Sequence, residues 1–102
     1  MLILIVDDHE LIRAGLKQAL QSAGHNIVGE AASLAEARAE LLFTQPDLVL
    51  VDVNLPDGSG LDLITPLLRC IVLTLGDDPT SLQQAHRRGA AAYVLKLSLI
   101  HI

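Results

Sequence analysis

The stretch DLVLVDVNLPDGSG, residues 47–60, decides the reading of this chain. Its apolar part does not alternate, and a nearly continuous run of Val and Leu is the mark of a strand covered on both faces, as in a parallel sheet packed between helices. Asp52 interrupts that run between Val51 and Val53. A carboxylate flanked by buried valines is costly unless it is paired or functional. Pro56, Gly58 and Gly60 follow, and they predict a turn whose backbone can approach an ion closely.

Working outward, similar apolar runs occupy Leu2–Val6, 70–75 and 91–97, with a weaker one at Asn26–Ala31, and 48–53 stands in the middle. Helix-period segments lie between them. Leu11, Ile12, Gly15, Leu16, Ala19 and Leu20 form one apolar stripe with Gly24 as its stop. Ser33 and Glu36 form a capping box that opens a helix over Leu34–Thr44, ended by the turn into Pro46-Asp47. A later helix starts at Asp78-Pro79, carries Arg87 and Arg88 in its last turn and stops at Gly89. Strands and helices alternate as β-α-β-α-β-α-β-α-β, which predicts right-handed crossovers in a doubly wound, five-stranded parallel sheet. The third crossover is short: only residues 61–69 separate Gly60 from Cys70, with Pro66 inside them. A strand-helix-strand connection needs at least about 10 to 12 residues, and proline inside a helix costs roughly 3 kcal/mol. The third helix is therefore expected to be abbreviated, kinked or strained.

In a doubly wound sheet, ligands bind beyond the carboxyl ends of the strands at the switch point in strand order. Asp7 and Asp8 follow the first strand, Asp52 ends the third, Thr74 lies near the end of the fourth and Lys96 near the end of the fifth, so all five are expected at one edge. Three clustered carboxylates either raise a pKa or hold a cation. Oxygen ligands without cysteine favour a hard ion, and Mg²⁺ takes one or two carboxylates with waters and phosphate oxygens. The chemistry this suggests is phosphoryl transfer, with Asp52 as nucleophile and Lys96 and the Thr74 hydroxyl on the phosphoryl oxygens. Plainer readings stand beside it. Asp7 and Asp8 can cap the first helix, Thr74 alone is an ordinary strand residue, and Lys96 can be a charged guard at a sheet edge. His9, His25 and His86 read as surface or capping residues and not as ligands.

With 51% hydrophobic residues in 102, the chain is one folded domain and not disordered. A formal net charge of -5 repels phosphate backbones and anionic lipid, which excludes nucleic-acid and membrane docking by this segment. The single Cys70 excludes an internal disulfide. The apolar start lacks a basic leader region, no stretch reaches transmembrane length, and a soluble, cytoplasmic protein is expected.

VDDH at 6–9, DLVLVDVNLPDGSGLDL at 47–63, VLT at 72–74 and GAAAYVLK at 89–96 together resemble the receiver domain of bacterial two-component response regulators, the NarL/FixJ type in particular. The resemblance covers 1–96. It implies a flavodoxin-like fold in which Asp52 is the phosphoacceptor and Asp7 and Asp8 hold Mg²⁺ with the backbone carbonyl of Asn54. It further implies that Thr74 is the switch hydroxyl, Tyr93 the switch aromatic and Lys96 the phosphate-contacting cation. A phosphoryl group adds nearly two negative charges, which would attract Lys96, draw Thr74 inward and leave space for Tyr93. The implied partner is a sensor histidine kinase; a homodimer stays open, and DNA enters only through an output domain outside this segment, as in a transcription regulator. Such a domain modifies itself and is not a turnover enzyme. A Mg²⁺-dependent phosphatase would want a second aspartate as general acid where Asn54 stands, and a receiver-like interaction module without phosphorylation is the other alternative.

Three features depart from the family pattern. Leu75 stands where a small residue normally admits phosphate and water, and the 61–69 crossover is short. The chain then ends in LSLIHI, 97–102, where a fifth helix is expected. Those six residues are the translation of CTG TCT CTT ATA CAC ATC, which resembles a transposon mosaic-end adapter, so 97–102 read as a non-native tail and the fifth helix as missing. An apolar extension of the last strand is the alternative.

Overall fold

A computed structural model describes residues 1–74 and 79–96. The elements run β1 (Leu2–Val6), α1 (Glu10–Ser22), β2 (Asn26–Ala31), α2 (Leu34–Thr44), β3 (Leu48–Asp52), β4 (Asn54–Leu55), β5 (Gly58–Ser59), a 3-10 turn (Gly60–Leu63), β6 (Cys70–Thr74), α3 (Pro79–Arg87) and β7 (Ala92–Leu95). Five strands form one sheet in the order β2-β1-β3-β6-β7, and every pairing in it is parallel. This is the doubly wound, flavodoxin-like order, with its switch point between β1 and β3.

The unbroken apolar runs are explained by two cores, one on each face. Along β1 the pleat sends Leu4 and Val6 to one side, with Val49, Val51, Val72 and the α2 residues Leu34 and Ala37. Ile3 and Ile5 face the other side, with Leu48, Leu50, Leu73 and Leu16 of α1. All five residues of β3 are buried. At about 1.5–3 kcal/mol for each fully buried aliphatic side chain, burial on both faces is the main term holding this strand in the centre.

The predicted stops are present as hydrogen-bonded motifs. After α1, Gly24 at φ +92° donates to Gln21 and His25 to Leu20; after α3, Gly89 at φ +94° donates to His86 and Ala90 to Ala85. Each is a Schellman motif whose left-handed residue must be glycine or pay strain. Two strands end one to two residues inside the expected limits: 48–53 closes at Asp52, and 91–97 spans Ala92–Leu95. The readings placed on Leu75, Asp78 and 97–102 lie outside the described residues.

The third crossover contains no α-helix. Between Gly60 and Cys70 the chain makes one 3-10 turn and a loop, yet Leu61, Leu63 and Ile64 still cover the sheet. A hairpin that sequence reading represented only as a turn precedes it, β4 and β5 pairing antiparallel as Asn54↔Ser59 and Leu55↔Gly58. Its tip carries Asp57, whose carboxylate accepts the N–H of Leu34 at 2.7 Å and of Ala35 at 3.0 Å, while Ser33 Oγ accepts that of Glu36 at 3.1 Å. Three of the four free donors of the α2 N-terminus are thereby satisfied, one by the expected cap and two by a residue from the hairpin.

Candidate functional site

The polar residues predicted at one edge do meet there. Asp7 directly follows β1; its N–H donates to Ala31 at 2.9 Å, so the ladder holds it through the last strand residue. Asp52 ends β3, Thr74 ends β6 and Lys96 follows β7. Asp7 and Lys96 are fully buried, and Asp52 and Thr74 nearly so. Asp8 and His9 form the rim, with 35% and 47% of their side chains exposed.

Lys96 Nζ lies 2.7 Å from Asp7 Oδ2 and 2.8 Å from Asp52 Oδ2. Those contacts let two carboxylates and an ammonium share a site without water, where a lone charge would be prohibitively costly. Burial nevertheless raises the Asp52 pKa above the usual carboxylate range; the Lys96 hydrogen bond and charge oppose it, Asp7 adds to it, and the Asn54 N–H opposes it. Asn54 donates that N–H to Asp52 Oδ1 at 3.3 Å. Asp57 behaves oppositely: the N–H groups of Leu34 and Ala35 hold its carboxyl below the ordinary value.

Gly60 fixes the backbone under Asp52. Its N–H donates to Val53 at 2.8 Å, and a Cβ on Gly60 would sit 1.8 Å from the Asp52 carbonyl oxygen. Tyr93 is half-buried against the α2-side core, and its hydroxyl has no hydrogen-bond partner among the described residues.

The structure leaves His9 on the surface, as expected, and adds detail to two readings. His9, read as surface or capping, caps nothing with its side chain; its Nδ1 lies 3.0 Å from Asp7 Oδ1, 3.2 Å from Asp8 Oδ1 and 2.9 Å from Lys96 Nζ. Capping does not account for Asp7 either: among the described residues the one backbone N–H its carboxylate accepts is that of His9, at 2.7 Å, in a local turn before α1. A lone histidine beside a helix start carries no sequence signal for which way its ring turns.

Donor atoms from Asp7, Asp8, His9 and Asp52 all lie within 4.8 Å of one another. Asp7 Oδ2 is buried and receives no hydrogen bond of good geometry, although the ammonium is its ion partner. An oxygen-rich set with one under-satisfied buried oxygen fits a divalent cation.

Residues 3–99 match the model of the response regulator receiver domain. The DNA-binding transcriptional activator DevR/DosR of Mycobacterium tuberculosis is 40% identical over 101 residues, 92% of this chain and 46% of that protein. The nitrate/nitrite response regulator NarL of Escherichia coli is 35% identical over 102 residues, 92% of this chain and 47% of that protein. The chain thus spans about half the length of these relatives. Among solved structures, the signal receiver domain of the NarL response regulator from Mycobacterium tuberculosis superposes with a TM-score of 0.85 at 31% identity, covering 93% of this chain and 82% of that one. No helix among the described residues is long and apolar enough to cross a membrane. With its sheet order, acidic edge and relatives in agreement, the chain belongs to the response regulator receiver domain family, of the NarL/DevR type.

Proposed function

We propose that this domain accepts a phosphoryl group on Asp52 from a phosphohistidine of a sensor kinase and changes conformation in response. The observation that carries this is the buried Asp52 carboxylate at the carboxyl end of the central strand, 2.8 Å from the buried ammonium of Lys96 and beside two further aspartates. In the transfer, an Asp52 oxygen bonds to phosphorus as the phosphorus–nitrogen bond of the donor breaks. The product is an acyl phosphate, later cleaved by water. Asp7, Asp8 and Asp52, with the Asn54 carbonyl, would hold Mg²⁺, which supplies charge neutralisation for the incoming phosphoryl oxygens.

Lys96 already has its charge in the pocket, so it moves from carboxylate to phosphoryl oxygen with little reorganisation. The Thr74 hydroxyl ends the neighbouring strand within the same edge and would close on another phosphoryl oxygen. Tyr93, half-buried one strand away, follows into the space Thr74 leaves. The event is a self-modification, without turnover of an external substrate. For the longer protein, we propose regulation of transcription through a separate DNA-binding part and through dimers, acting in the cytoplasm, where a lone reduced Cys70 is at home.

Incubation with acetyl phosphate and Mg²⁺, read by intact mass, tests the assignment. Wild type should gain one phosphoryl group, and neither the Asp52→Asn variant nor wild type in EDTA should do so. Labelling that survives either condition refutes it.

A further inference from the structure

His9 takes no part in the phosphoryl transfer just described, yet its ring nitrogen is the most contested atom in the pocket. Nδ1 has two carboxylate oxygens at 3.0 and 3.2 Å and an ammonium nitrogen at 2.9 Å. An imidazole nitrogen either carries a hydrogen and donates, or presents a lone pair and accepts. With the hydrogen it opposes Lys96; without it, it opposes both aspartates. No arrangement within the protein satisfies all three neighbours. A divalent cation among Asp7 Oδ1, Asp8 Oδ1 and His9 Nδ1 relieves the conflict with both aspartates, because each then directs a lone pair at a positive charge, while Lys96 gives up the ring nitrogen and keeps its contacts with Asp52 Oδ2 and Asp7 Oδ2.

The spacing agrees. Adjacent ligands of a six-coordinate ion with bonds of about 2.1 Å lie about 3 Å apart, and the two His9–carboxylate separations have that length. The ring is not turned by helix capping, since His9 is the N-cap residue of α1 without a side-chain capping bond; it turns toward the carboxylates of Asp7 and Asp8.

We propose that His9 is a direct metal ligand and sets the metal preference of this pocket: its nitrogen favours borderline ions such as Co²⁺, Ni²⁺ and Zn²⁺ over Mg²⁺, relative to an all-oxygen pocket. The inference rests on reading the acidic edge as a cation site. Calorimetric titration of the full chain with Co²⁺ and separately with Mg²⁺ tests it, comparing wild type with His9→Phe and His9→Gln, whose folding is checked by circular dichroism. Because losing even an outer-shell partner of a ligand costs about 10- to 100-fold, both variants should bind Co²⁺ at least tenfold more weakly, with Mg²⁺ affinity changed by no more than a few-fold. Pulsed EPR of the Cu²⁺-loaded chain should show coupling to a directly bound nitrogen that disappears in His9→Phe. Equal losses for the two metals, no loss for Co²⁺, or a nitrogen coupling that persists in His9→Phe would overturn the role of His9 and leave the acidic cation site standing. Wild type that binds neither metal would overturn the cation site as well.

Discussion

Replacing Lys96 by methionine keeps the length of the side chain and deletes its charge. The ammonium it removes lies 2.7 Å from Asp7 Oδ2 and 2.8 Å from Asp52 Oδ2, and the three side chains are 0%, 0% and 3% exposed. Breaking a buried ion pair by removing one partner costs about 3–5 kcal/mol, because the remaining charge has neither water nor a counter-ion. Here two carboxylates are left facing each other. Asp52, already raised by burial, relieves part of the repulsion by taking up a proton, which places the expected loss near the low end, at about 3 kcal/mol. For a domain of this size each kcal/mol shifts Tm by about 4–8 °C, so Lys96→Met should melt about 12–24 °C below wild type in EDTA. Such a loss is a large part of an ordinary domain's stability of about 5–15 kcal/mol. The Asp52→Asn/Lys96→Met double variant should recover much of it, since one of the two uncompensated charges is gone. Mg²⁺ should raise the Tm of Lys96→Met, and a concentration of 100 times Kd would return about 2.7 kcal/mol. Thermal melts followed by circular dichroism read all of this. A Lys96→Met variant within about 4 °C of wild type would refute the reasoning, because the ammonium would then not be compensating buried charge.

Asp52→Asn alone should raise Tm at neutral pH: folding raises the Asp52 pKa, so stability present below the unfolded value of 3.8 is lost as pH rises through the folded value, and the amide escapes that loss. Asp57→Ala should do the reverse; with a folded pKa below 3.8, Asp57 stabilises above that pH and ceases to as pH falls through its folded value, so Tm curves of the variant and wild type should converge in acid. Gly60→Ala drives a Cβ to within 1.8 Å of the Asp52 carbonyl oxygen. The nucleophile must then move, and phosphoryl labelling followed by mass should slow about 100-fold, as expected for a misplacement near 1 Å. Burial pushes the Cys70 thiol up to about 11, so it should resist a disulfide-exchange reagent in the native state and react at the rate of unfolding when denaturant is added.

Much of this domain is written in short range along its sequence. The three central strands β1, β3 and β6 are runs rich in Val, Ile and Leu that only a sheet covered on both faces can bury, and α1 and α3 each stop at a glycine, Gly24 or Gly89, whose positive φ the next turn requires. Once strands and helices alternate, the rule that ligands gather at carboxyl ends of parallel strands brings Asp7, Asp8, Asp52, Thr74 and Lys96 together, and they do converge. The shortness of 61–69 foretells an abbreviated helix there, but the chain makes no α-helix at all: the 3-10 turn with Leu61, Leu63 and Ile64 turned inward is a packing solution that spacing alone cannot choose. What only the tertiary structure decided are contacts between distant parts of the chain. Asp57 reads as one more polar turn residue until the hairpin carries it to the N-terminus of α2, 22 and 23 residues away in sequence. His9 reads as a surface histidine and stays exposed, yet the end of β7 delivers Lys96, 87 residues later, to the same ring nitrogen that faces Asp7 and Asp8. Backbone preference is set by neighbours in the chain, whereas the direction of a polar side chain is set by whichever charges the completed fold brings within hydrogen-bonding distance, and those are not known until the sheet has closed its order.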